Sequence, residues 1–326
     1  MPVRLRYLWR MDKEQTRATL TVALMAAFAD GLKDERERAA VKQVADALGG
    51  NSGVDLPALF RDVLLSKPDL AQVVAPLQTP ESRQFAYEMA VGVANADGAQ
   101  NAEETQFLQR LATALQVPAA KASEANAQAG AVVSAASDAP QAPPVAGTVL
   151  GKPSLSQAEY DKLILDASIT NAALEILPES IATMAIIPLQ LRLVYRIGKS
   201  YGYAMDMSHA KDFVATLGIG LTGQYLEQFG RKLLGGLLGG LAGGLGRSLG
   251  RQAASSGMAF ATTYALGRVA QRYYASGRTL DTAALKETFT ALLAEARGLA
   301  PQYRQQIEQA ASTIDTRNLA SLIKQV

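Results

Sequence analysis

Ala29-Asp30-Gly31-Leu32-Lys33-Asp34-Glu35-Arg36-Glu37 returns later in the chain as Ala96-Asp97-Gly98-Ala99-Gln100-Asn101-Ala102-Glu103-Glu104. Asp-Gly forms turns, because glycine reaches backbone conformations closed to residues with a Cβ. An apolar helical pattern follows each copy: Val41, Val44, Ala45 and Leu48 correspond in spacing to Leu108, Leu111, Ala112 and Leu115. A repeated turn with a repeated helix behind it predicts a pseudo-duplicated helical bundle over residues 1–117.

The rest of the chain agrees with an all-α class. Of 326 residues 48% are hydrophobic but only 6% aromatic, so Ala, Leu and Val supply much of the apolar content, and no useful strand alternation occurs. Residues 118–153 are rich in Ala, Pro, Ser and Gly, with no aromatic from Pro118 to Leu150, and read as a disordered, flexible linker. Residues 154–326 then form a second helical domain. Tyr160 to Leu177 has helical periodicity, Ser180 to Tyr201 is strongly apolar and interrupted at Pro188, and Leu285, Phe289, Leu292, Leu293, Ala296 and Leu299 trace one helical face.

Composition excludes several chemistries. There is no cysteine, hence no disulfide, thiolate metal site or cysteine nucleophile. The net charge of +2 argues against nucleic acid as a partner. Arg4, Arg6 and Arg10 before the apolar run Ala18 to Ala29 mimic a signal peptide, yet Asp12 and Glu14 interrupt the basic region and cleavage would remove the first helix of the repeat. His209 is the only histidine and reads as a surface residue. Gly198-Lys199-Ser200 lacks the first glycine of a phosphate-binding loop, since Leu193 stands there. Tyr273 and Tyr274 read as helix packing or interfacial anchors, and Tyr303, Arg304 and Gln305 as a solvated face. No enzyme site is expected.

The acidic repeat has two readings. Asp34 with Glu37, like Asn101 with Glu104, has the spacing of a capping box, in which side chains at a helix start satisfy free backbone N–H groups. Alternatively, Asp30, Asp34, Glu37, Asp97, Glu103 and Glu104 converge into an oxygen-rich pocket for a divalent cation, Ca²⁺ or Mg²⁺, assembled across both copies because neither is an EF-hand. The repeated Asp-Gly turn and acidic helix start resemble the TerB family of tellurite-resistance proteins over residues 15–117. That resemblance implies a compact helical bundle with an acidic, cation-binding patch and a place in stress systems or near membranes. Ala102 and Asn101 stand where the first copy has Glu35 and Asp34, so the second half is less acidic.

In the second domain Gly235, Gly239 and Gly243, with Gly236, Gly240 and Gly244 beside them, recur every fourth residue in LLGGLLGGLAGGLG, residues 233–246. So many glycines weaken a helix in water, by close to 1 kcal/mol each, unless small residues let another helix approach. Fourteen helical residues span about 21 Å against a hydrocarbon core of about 30 Å, too short for a simple crossing. Leu233 to Gly246 with Ala253 to Gly267 therefore reads as a close-packed hairpin, re-entrant at a membrane surface or packed within the protein. Between residues 180 and 280 eleven Lys/Arg face three Asp/Glu, 11 − 3 = +8, which suits anionic headgroups.

Leu177-Pro178-Glu179-Ser180 through Tyr201-Gly202, with Ala261 to Arg268, resembles the uncharacterised domain of YcjF-type proteins over residues 160–285. The resemblance implies membrane association and a separate GTPase partner. The expectation is a non-enzymatic adaptor on the cytoplasmic face of the inner membrane, self-associating through the glycine run. Its alternative is a cytoplasmic, metal-responsive stress protein.

Overall fold

A computed structural model describes residues 11–29, 55–66, 68–96, 98, 100–137, 153–177, 180–217 and 245–325. The described residues form helices and turns, an all-α fold. Contacts divide the chain into two compact units: Met1–Val133 with Pro178–Met184 and Gly220–Gln252, and Ser134–Leu177 with Ala185–Ile219 and Ala253–Val326.

The first unit holds α1 (Lys13–Ala27), α2 (Leu56–Ser66), α3 (Leu70–Val74), α4 (Pro80–Ala94), α5 (Ala102–Ala114), most of α6 (Ala119–Ser137) and α8 (Ser180–Met184). Asp12 starts α1 with a capping box in which its carboxylate accepts from the Gln15 N–H while the Gln15 side chain accepts from the Asp12 N–H. α1 and α4, the helices that precede the two Asp-Gly sequences, pack directly on each other, and α1 also meets α2, α3 and α5. Val22, Ala23, Ala86, Met89, Ala90, Val91 and Leu111 are fully buried there. Small residues on the facing surfaces bring the two backbones close.

Residues 119–137 correct the expectation of a disordered linker from 118 onward. They form α6, whose Ala125, Ala129, Val132 and Ala135 are buried at four- and three-residue spacing. The Asn126 amide donates to the Tyr87 hydroxyl at 2.7 Å and accepts from Gln100 at 2.9 Å, tying α6 to α4 and to the Asp-Gly turn. Alanine is the best helix former, and a row of alanines needs only a shallow surface to bury itself. Residues 138–152, the proline-rich part of that segment, lie outside the described residues.

The second unit contains α7 (Gln157–Ile176), α9 (Ile186–Ser200), α10 (Met207–Thr216), α11 (Leu245–Ala275, from Ala253 on), α12 (Thr282–Leu299), α13 (Arg304–Thr313) and α14 (Leu319–Gln325), with short 3-10 turns at Ala300–Tyr303 and Thr316–Asn318. The Ser180 to Tyr201 stretch is interrupted, at Ala185 and not at Pro188 itself. Pro188 sits in the first turn of α9, where its missing N–H has no helical acceptor to lose, and α8 ends just before at Met184. α9 is buried on nearly every side, from Ile186 to Tyr195 and again at Ile197 and Gly198. Phe260 anchors a neighbouring cluster with Ala172, Ala173, Ala300 and Ile307, and stacks on Tyr303 at 5.4 Å. Tyr303 is thus packed, whereas Arg304 is paired with Glu308 at the surface.

Of the two readings of Ala253 to Gly267, the structure agrees with packing within the protein. These residues belong to α11, and Ala259, Phe260, Ala261, Thr263, Ala265 and Leu266 are buried inside the second unit. Close helix approach does occur here: a Cβ on Gly267 would lie 2.9 Å from Ile164 and 3.1 Å from Leu193, so glycine lets α7, α9 and α11 meet. The other proposed arm, Leu233 to Gly246, lies outside the described residues except for its last two positions, so Gly235, Gly236, Gly239, Gly240, Gly243 and Gly244 receive no structural account.

Candidate functional site

Two groups of polar residues stand out, one at the acidic turn and one inside the second unit. At the turn, Gly98 has φ +144°, a conformation that residues with a Cβ rarely adopt, which explains the glycine after Asp97. α5 then begins with a complete capping box. The Asn101 side chain accepts from the Glu104 N–H at 2.8 Å, and the Glu104 carboxylate accepts from the Asn101 N–H at 2.8 Å. Glu104 is buried and engaged with the helix start, while Glu103 is exposed beside it. The second copy of the repeat caps a helix as its spacing requires. Asp30, Asp34, Glu37 and Asp97, the other four residues of the expected cation pocket, lie outside the described residues. Among the described residues no three His, Asp or Glu side chains gather as a metal site would need.

Inside the second unit, Thr263 on α11 is fully buried, and its hydroxyl accepts from the amides of Asn171 on α7, at 2.9 Å, and Gln190 on α9, at 3.0 Å. The Asn171 Oδ1 is buried without a hydrogen-bond partner. Three helices are thereby fixed in register by one hydroxyl. Nearby, the Tyr160 and Ser200 hydroxyls are 2.6 Å apart, and Ser200 also donates to the Ile197 carbonyl. Burial pushes the Tyr160 phenol well above its ordinary value, so it stays protonated. Gly198-Lys199-Ser200 is accordingly the end of α9, with its serine hydroxyl committed to the interior.

The cations are divided between interior and surface. Arg192 is only 8% exposed and donates to the carbonyls of Ala135 and Lys324, in the last turns of α6 and α14. The negative ends of two helix dipoles thus receive its charge. Arg268 pairs with Asp161 and lies over the Tyr264 ring; Gln157 and Gln271 close a ring of hydrogen bonds around the pair. The Arg268 guanidinium holds the Asp161 carboxyl below its usual range. Two of the eleven basic residues counted in the sequence therefore serve the fold. Lys199 sits over the Tyr195 ring, and Arg278 over Tyr203. Tyr274 is buried against Tyr203 and Phe213, which settles its role as packing.

His209 occupies the third position of α10, where it forms a capping box with Asp206, its Nδ1 2.7 Å from the carboxylate. The Ser208 hydroxyl, the His209 backbone N–H and the His209 ring hold Asp206 down to about 2. Among the described residues no helix is long and apolar enough to cross a membrane.

The interior triad of Asn171, Gln190 and Thr263 escaped sequence reading because its members are spread over α7, α9 and α11. The cap at Asn101 was legible, since its spacing is local.

Comparison with known proteins agrees with the first unit. Residues 9–129 match the family described as "Protein of unknown function (DUF533)", which lies in the TerB-like superfamily. That match extends through most of α6, in keeping with a helix that packs as part of the bundle. No curated protein and no solved structure matches the chain.

Proposed function

We propose that this protein is a non-enzymatic adaptor that docks on an anionic membrane surface through the glycine run Leu233 to Gly246 and the cations around it, and presents its TerB-like helical module to a protein partner. The observation that carries the reading is the four-residue glycine repeat, bracketed by Arg231 and Lys232 on one side and Arg247 and Arg251 on the other. Glycine at that density is unfavourable in an isolated helix in water and useful where backbones approach closely within lipid. The four cations suit anionic headgroups at the interface, each contributing about 1 kcal/mol near the surface.

Further support comes from what the polar side chains do. Glu104, Asp206 and His209 cap helices, Arg192 joins two helix ends, and Asn171, Gln190 and Thr263 bind three helices to one another. These roles maintain a scaffold.

Flotation of the full chain with phosphatidylcholine vesicles, with and without phosphatidylglycerol, tests the proposal. Binding is expected with the anionic lipid, falling as salt screens the cations. A variant carrying Arg231, Lys232, Arg247 and Arg251 all changed to Glu should remain in the soluble fraction. Equal flotation of the two proteins, or no flotation of the full chain, overturns it.

A further inference from the structure

α11 enters the core of the second unit at a point fixed on several sides. A Cβ on Gly257 would lie 3.6 Å from Ala300, just past the end of α12, so the two chain segments are in contact there. The Ala259 backbone N–H donates to the buried Glu175 carboxylate at 3.0 Å, and Phe260 packs in the cluster that contains Ala300. Met258 stands between these anchored neighbours. A methionine side chain is flexible, yet the sulfur of this one accepts from the Arg297 Nη2, in the last turn of α12, at 3.7 Å.

The pairing is unusual for both partners. A thioether is a weak acceptor, and among the described residues Arg297 has no carboxylate or carbonyl partner in addition to it. Met258 is half-buried and Arg297 is exposed, so small solutes reach the sulfur. The other described methionines differ. Met11, Met89, Met184 and Met205 are buried, and Met25 and Met207, half-buried like Met258, have no cation at their sulfur among the described residues.

We infer that Met258 is a modification site for hydrogen peroxide, with Arg297 assisting the reaction and holding its product. A sulfur lone pair attacks one peroxide oxygen and the O–O bond breaks. The other oxygen leaves with the bonding pair, takes the proton from the oxygen now on sulfur and departs as water. Sulfur is oxidised by two electrons to the sulfoxide, and peroxide is reduced by the same two. Negative charge grows on the leaving oxygen as the O–O bond stretches, and a guanidinium N–H beside the sulfur donates to it. The sulfoxide oxygen is then a strong acceptor next to Arg297, so oxidation converts a weak N–H···S contact into a charge-assisted hydrogen bond between α11 and α12. The site is independent of membrane docking.

The test treats the full chain with dilute hydrogen peroxide and follows oxidation of each methionine by peptide mass spectrometry. Met258 should react about tenfold faster than Met25 and Met207, the size of one hydrogen bond to a developing charge. Arg297→Gln should remove that lead and leave Met25 and Met207 unchanged, whereas Arg297→Lys, which keeps a cationic donor, should retain part of it. Met258 reacting no faster than Met25 and Met207 overturns the inference. So does a lead that survives Arg297→Gln, because exposure alone then accounts for it. The buried Met205 reports on folding: if it reacts quickly in a variant, the comparison within the unsubstituted chain decides alone. Hydrogen exchange at the end of α12, residues 295–299, should slow after oxidation, and faster exchange would show that Arg297 does not hold the sulfoxide.

Discussion

The two units differ in how their buried polar side chains are used. In the first, side-chain hydrogen bonds concentrate at helix ends: Asp12 with Gln15, Thr79 with Ser82, Asn101 with Glu104, and Arg83 donating to the Leu77 carbonyl and to Gln116, with Asn126 to Tyr87 as a link between two helices. Its interior is mainly Ala, Val, Leu and Met with Phe85, Tyr87 and Phe107, and its buried Thr19 and Thr21 donate to carbonyls one turn back in their own helix. In the second, Asn171, Gln190, Thr263, Ser168 and Arg192 are inside. End-placed polarity stabilises each helix locally and leaves packing free to slide. Interior polarity pins register between helices, at a cost if any partner is lost.

Thr263→Val tests that contrast most severely. The substitution keeps the shape and leaves the buried amides of Asn171 and Gln190 without their acceptor, for a loss of about 3 kcal/mol in urea unfolding. Changing Asn171→Leu, Gln190→Leu and Thr263→Val together should recover much of the loss, because neither amide then lacks the Thr263 acceptor. A triple variant no better than the single one would mean that packing, and not hydrogen bonding, holds this crossing.

Gly267→Ala comes next, at about 2 kcal/mol, because a methyl 2.9 Å from Ile164 and 3.1 Å from Leu193 pushes apart three helices that the polar triad holds in register. Ile164→Val in the same chain should return part of the stability by making room, and thermal unfolding of the single and double variants reads the coupling. At the other unit's acidic turn, Asn101→Ala should cost about 1 kcal/mol, the usual loss for a helix cap, with hydrogen exchange rising only around α5. An effect spread over both units would break the division between local and interior polarity.

How much of this was legible depended on the distance between partners. The all-α class, the second Asp-Gly turn and the start of α5 at Ala102 follow from spacings of a few residues, which local physics governs. The Asn171, Gln190 and Thr263 cluster depends on three helices crossing, and each residue alone looks like an ordinary polar position. Ala253 to Gly267 was left between two readings for a related reason: small residues permit close packing, but sequence alone does not say whether the neighbour is lipid or protein. Thr263 in that stretch, with two amide partners, belongs to a protein interior. The cation pocket stays an open expectation, since its second copy caps a helix and Asp30, Asp34, Glu37 and Asp97 lie outside the described residues.

The smallest expected effect falls on the segment whose reading changed most. Composition took residues 118–153 for a flexible linker, whereas Ala119–Ser137 is a helix with a buried alanine row. Gly130 lies on that helix, and a Cβ there would meet nothing within 4 Å. Gly130→Ala should therefore stabilise the full chain by roughly 0.5–1 kcal/mol, through better helix propensity and a smaller conformational entropy in the unfolded chain. In a disordered linker the same change would leave the urea midpoint where it was, because folded and unfolded chains would lose the same freedom. A raised midpoint together with slower hydrogen exchange along 119–137 assigns α6 to the first unit's end-capped bundle. An unchanged midpoint returns the segment to the linker and moves the boundary of that bundle back to residue 117.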